Sequence, residues 1–173
     1  MMQVIDIFIA QLQNAHDHFA KTLDGLNADQ LKYHPSPNAH GIGFAVWHAL
    51  RAWDDYYALI TQTESVYAKE NWAEKLGFDS RGRGINDIGT GFNVQDVADM
   101  NLQTETLSAF LESLWMHTRD DLKTMNDDVL LRPVTVPWWN PSAVTFGRVL
   151  SHIIAHTYVH IGEAEYLRGL LGK

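Results

Sequence analysis

The chain has 173 residues, 46% of them hydrophobic and 20% charged, which is enough apolar material for one packed core and excludes a disordered polymer. Its formal charge of −8 argues against nucleic acid or an anionic membrane as a partner. It contains no cysteine, so disulfides, thiolate-held zinc and iron–sulfur clusters are ruled out.

A chain of this length is expected to fold as a single domain over residues 1–173. Its start, MMQVIDIFIAQLQ, has no basic region, and Gln3, Asp6 and Gln11 interrupt its apolar residues, so it does not read as a signal peptide. No run approaches the roughly 20 apolar residues of a membrane span, and the cytoplasm is the expected compartment. Ile5, Phe8, Leu12, Ala15, Phe19 and Leu23 keep helical spacing and predict a first helix over 2–25. HPSPNAHG, 34–41, breaks the chain, and a second helix is expected over Ile42–Thr61. Residues 62–93 hold Gly77, Gly82, Gly84, Gly89 and Gly91 and read as a long connection with one helical turn near NWAEKL. Asn93 is placed to cap a segment begun by Val94, Val97 and Ala98, and Leu107, Phe110, Leu114, Thr118, Leu122 and Met125 mark a long third helix. Residues 132–145, RPVTVPWWNPSAVT, read as irregular or briefly extended, and a last helix is expected over Thr145–Leu171.

Four amphipathic helices without a convincing strand set predict an all-α four-helix bundle. The connections 62–93 and 126–144 are too long for simple hairpins. Long crossover connections are therefore expected in place of plain up-down-up-down order.

The segment SHIIAHTYVH carries His152, His156 and His160 at every fourth residue on an inward-facing stripe with Val149, Glu163 and Leu167. Two histidines four apart reach one ion from the same side of a helix. Three do not, because the outer pair stands ~12 Å apart along the axis. A third ligand must come from elsewhere, and His48 in GFAVWHALRAWDDYY, inward-facing with Phe44, Ala45, Ala52, Asp55 and Leu59, is the candidate. Asp55 lies nearly in line with it and can orient a ligating imidazole, as can Glu163 in the last helix; either carboxylate alone also reads as a solvated helix edge. The competing reading of all these histidines is a set of satisfied core side chains.

IGFAVWHALRAWDDYY together with HIIAHTYVHIGEAEYLRGLLG resembles the DinB/YfiT-like superfamily, with HPSPNAHGIGF and NWAEKLGF extending the likeness over most of the chain. The resemblance implies a metal-binding four-helix bundle. It implies ligands at His48 and at the pair His156 and His160, since HIGEAEYLRG matches the run after the last ligand, and it leaves His152 as a neighbour. A divalent ion, zinc or nickel, is the implied cofactor. Three neutral imidazoles leave a coordination position open, the pattern of catalytic and not structural sites. The resemblance implies a transferase or isomerase that uses a low-molecular-weight thiol such as bacillithiol or mycothiol, or, as in other relatives' descriptions, a hydrolase. The expected function is a metal-dependent enzyme acting on a small-molecule substrate. The alternatives are a non-enzymatic metal-binding or stress-associated bundle protein, and a purely structural bundle.

Other features divide between function and packing. Trp138 and Trp139 can wall a pocket or pack a loop over the bundle, and Arg81 and Arg83 can clamp an anionic thiol's carboxylates or stand in solvent. His16, His18, His34, His40 and His117 show no partner pattern and read as structural or surface residues. Opposite His48 lie Val46, Leu50, Trp53 and Tyr57, and opposite His156 lie Ile154 and Tyr158. Apolar residues on the backs of two bundle helices predict a homodimer, unless 62–93 or 132–145 fold back over them.

Overall fold

A computed structural model describes residues 3–77, 87–98 and 100–173. Arg81 and Arg83 lie outside the described residues. In chain order the elements are α1 (Val4–Leu23), α2 (Ala28–Lys32), α3 (Ile42–Thr61), α4 (Val66–Lys69), α5 (Trp72–Lys75), α6 (Val94–Ala98), α7 (Thr104–Leu122), a 3-10 turn (Asp127–Leu131), β1 (Pro133–Thr135), β2 (Ala143–Thr145) and α8 (Phe146–Leu170).

Local chemistry accounts for several of these boundaries. Asn27 and Gln30 cap α2 reciprocally, each side chain accepting from the other's backbone N–H at 2.9 Å. The Asn93 side chain accepts from the N–H groups of Gln95 and Asp96 and starts α6 as its sequence position suggests. The segment after it is not one long helix. Met100 and Leu102 are both buried, and side chains two apart point the same way only in extended chain, so burying both breaks the helix between α6 and α7. Residues 133–145 form a small antiparallel hairpin, Val134 opposite Val144.

The long helices α1, α3, α7 and α8 build the bundle. α1 and α3 face each other across the core, each flanked by α7 and α8. Side-chain pairings give the directions. His18 meets Glu165 and Arg168 reaches the carbonyls of Thr22 and Asp24, so α1 and α8 run parallel. Trp53 donates to Thr118 and Tyr57 to Asp121, so α3 and α7 also run parallel. His48 lies against His160 while Tyr56 lies against His152, so α3 and α8 are antiparallel. The order is therefore up-down-down-up. Residues 24–41 and 123–145 cross the diagonals. The connection after α3 joins two adjacent helices that run parallel, so it returns from one end of the bundle to the other, the long crossover expected of it.

α3 is buried along nearly its whole length. The His48 side packs on α8, while Val46, Leu50, Trp53 and Tyr57 are covered within the chain, with Trp53 and Tyr57 bonded to α7. Their stripe is one wall of the bundle core, so the argument for a homodimer from an uncovered apolar back does not hold. Ile154 and Tyr158 are half-buried, and the Tyr158 hydroxyl reaches the Gln11 carbonyl of α1 at 3.5 Å. No helix among the described residues is long and apolar enough to cross a membrane.

Candidate metal centre

α3 and α8 bring His48, His156 and His160 together, with one ligand-capable atom from each lying within 4.8 Å of the others. Ring centroids stand 5.1 Å apart for His48 and His156, 4.7 Å for His48 and His160, and 4.6 Å for His156 and His160. The Nε2 atoms of His156 and His160 are 3.4 Å apart. For metal–nitrogen bonds of about 2.0–2.1 Å at tetrahedral angles, two ligand nitrogens stand roughly 3.3–3.4 Å apart, so this pair fits a shared ion.

The outer ring nitrogens orient the inner ones. His48 donates Nδ1–H to the carbonyl of Ile88 at 2.5 Å. His160 donates Nδ1–H to Glu163 Oε2 at 2.7 Å. In both rings the bond leaves the Nε2 lone pair free for a cation, the usual backing of a metal-ligating histidine by a carbonyl or carboxylate. Burial holds the His48 imidazole below its ordinary pKa, opposed by the bond to Ile88. Burial, reinforced by His160, His48 and His152, pushes His156 down to about 4. These two rings are thus neutral, and able to ligate, at neutral pH. The donor set and its orientation fit a divalent ion.

Glu163 takes the orienting role considered for it. Asp55 does not. It lies 4.0 Å from the guanidinium of Arg51, and the acceptor for His48 comes from a connection forty residues downstream. That approach depends on Gly89. Its φ is +84°, and a Cβ there would meet Trp47 at 2.6 Å and Phe44 at 3.1 Å. Only a glycine lets the chain pass this close to α3 and set the Ile88 carbonyl on His48.

A cavity of about 320 Å³ opens on the three imidazoles. Glu163, Phe44 and Ala45 line it from the helices, and Gly89, Thr90, Gly91 and His40 from the connections. His152 stands beside the cluster. Its ring lies 5.8 Å from His156 but closer to Tyr56 and Trp139, at 4.9 and 4.8 Å. Both indoles of Trp138 and Trp139 donate to the Tyr56 hydroxyl, at 3.0 and 3.2 Å, so they pack the loop over the bundle beside His152 and line neither cavity described. His40, read from sequence as structural or surface, stacks on Phe44 at 4.1 Å and lines the cavity. It precedes the Gly41 cap of α3 and so lies outside the helix, where no helical spacing ties it to His48. His16, His18 and His34 are engaged with Glu112, Glu165 and the Ser36 carbonyl, and His117 packs edge-on to Tyr57, all away from the three-histidine cluster.

The family model described as the DinB superfamily matches residues 11–164. The chain belongs to the DinB superfamily. A conserved protein from Enterococcus faecalis has a similar solved structure, with a TM-score of 0.83, 22% identity and full coverage of both chains. A DinB-like protein from Bacillus cereus ATCC 10987 is similar at a TM-score of 0.70 and 16% identity, covering 99% of this chain and 95% of that one. At such identities the likeness speaks for the DinB fold alone. Comparison with curated proteins found no match.

Proposed function

We propose that His48, His156 and His160 hold one divalent cation, zinc or nickel, and that the protein is a metal-dependent enzyme acting on a small molecule. The transformation is a thiol-dependent transfer or isomerisation, or a hydrolysis. The observation that carries this reading is the orientation of the cluster. Two of three imidazoles have their outer nitrogen committed to an acceptor, and their free nitrogens face a cavity large enough for a ligand. Three protein ligands leave a position open, and an ion so held supplies Lewis acidity to whatever small molecule takes it. The chain's own residues do the rest. Ile88 and Glu163 fix the ring planes of His48 and His160. Phe44 and the segment Gly89–Gly91 narrow the approach of water. Glu163, already bonded to His160, is the carboxylate closest to the cluster in the cavity lining and can hold a proton next to it.

The test is metal analysis on protein purified without a histidine tag, followed by a screen of the loaded protein. Small thiols paired with electrophiles, and ester or amide substrates, cover the two reaction classes. About one ion per chain with turnover in either class supports the proposal. One ion per chain without turnover supports a non-enzymatic metal-binding protein, and no ion even after reconstitution removes the reading.

A further inference from the structure

A second cavity, of about 190 Å³, lies between α2, the start of α3 and α6. Leu31, Phe44, Val97, Ala98 and Leu102 make its walls mainly apolar, with Lys32 and His34 exposed at its rim. An apolar cavity of roughly 150 Å³ stays dry and accommodates a benzene ring, so this space is of the size that takes one ring or a short hydrocarbon chain. Two side chains, His40 and Phe44, line both this cavity and the one at the histidine cluster. They stack on each other at 4.1 Å and form the partition between the two. A hydrogen bond to the Phe92 backbone holds the His40 ring in that position. The shared lining sets an apolar space directly beside the space that the three imidazoles face, within the span of one small molecule.

We propose that the two cavities are one bipartite binding site, and that the apolar one takes the single-ring or short-chain hydrocarbon portion of a small molecule whose polar head reaches His48, His156 and His160. Which end of the molecule reacts rests on the metal reading above; the occupancy of the apolar cavity does not.

Hydroxamates, which chelate divalent metals through two oxygens, provide the probes. Phenyl-tailed hydroxamates of increasing linker length are compared with acetohydroxamate on zinc-loaded protein by calorimetry. Burying the ring is expected to tighten binding by about ten- to a hundredfold at the linker length that reaches the cavity. Ala98 lines the cavity but is exposed, so Ala98→Trp fills the space without cutting into the core. The variant is expected to lose the tail's gain and keep acetohydroxamate binding unchanged. On metal-free protein, nuclear Overhauser contacts should run from the phenyl protons to the methyls of Leu31, Val97 and Leu102. Equal affinity for tailed and untailed probes overturns the proposal, as does a gain that survives Ala98→Trp without contacts to those methyls. Should the protein bind no metal, the metal-free contacts still decide the cavity while the catalytic reading falls alone.

Discussion

Gly89→Ala tests whether the connection after α3 helps build the metal centre. The added methyl forces an alanine to φ +84°, a conformation that costs about 1–2 kcal/mol for a residue with a Cβ. It also places that Cβ 2.6 Å from Trp47, which is fully buried, and 3.1 Å from Phe44, so the ring cannot swing clear into solvent. Overpacking of this kind adds roughly 1–3 kcal/mol unless the loop moves away. Should the loop stay, the sum of about 2–5 kcal/mol lowers the melting temperature by roughly 5–15 °C for a domain of this size. Should the loop move, the neighbouring Ile88 carbonyl leaves His48 and metal affinity falls by about ten- to a hundredfold, the usual effect of losing the partner behind a ligand. Thermal melts of metal-free protein and competition against a chromophoric chelator read the two outcomes separately. Gly91→Ala is the control, since Gly91 also has positive φ, +79°, but nothing stands within 4 Å of its Cβ position. It should show the strain alone. A Gly89→Ala protein with both melting temperature and affinity unchanged would refute the role given to this connection.

His48→Ala is expected to release the ion while His152→Ala keeps it, measured as metal per chain after dialysis; the reverse pattern would show that the ligand assignment is wrong. Glu163→Gln keeps an acceptor but removes the charge behind His160, and should weaken zinc binding by about tenfold or more in the same competition assay. Metal-free protein should lose stability on acidification. His156 titrates near 4 in the fold against about 6.5 unfolded, so between those values the unfolded chain binds a proton that the native state does not. Stability contributed by this group is complete above pH ~6.5 and lost as pH falls toward 4, with His48 and His152 acting in the same direction. Urea unfolding at pH 7, 6 and 5 checks this, and a flat midpoint would show that His156 is not held neutral. Metal occupancy should fall over the same acid range as protons compete for the imidazoles.

The long helices were legible because their apolar spacing is uninterrupted: Ile42–Thr61 is α3, and the first and last helices agree with α1 and α8 to within two residues at each end. The break between α6 and α7 was not, because Met100 and Leu102 continue an apolar pattern whose period over so short a stretch fits either helix or extended chain. The three histidines could be read from two helix faces. The acceptor of His48 could not, since it is a backbone carbonyl, and a carbonyl leaves no mark in a sequence beyond the glycine that lets it approach. The apolar stripe on α3 misled for a related reason. Val46, Leu50, Trp53 and Tyr57 need cover, but nothing in their spacing says whether α7 or a second chain supplies it.

The three imidazoles and the cavity walls come from different kinds of structure. His48, His156 and His160 ride on two long bundle helices, α3 and α8, whose positions are set by the whole core. Much of what a ligand would touch besides them, including Gly89 to Gly91, Val97, Ala98 and His40, belongs to connections and one short helix. Such segments accept insertion and substitution far more readily than a core helix does. A descendant of this chain can therefore change what it recognises by exchanging the stretches 33–41 and 87–102, while the imidazoles keep their spacing. The fold separates the part that must stay constant from the part free to diverge, and two proteins with the same three histidines need share no substrate.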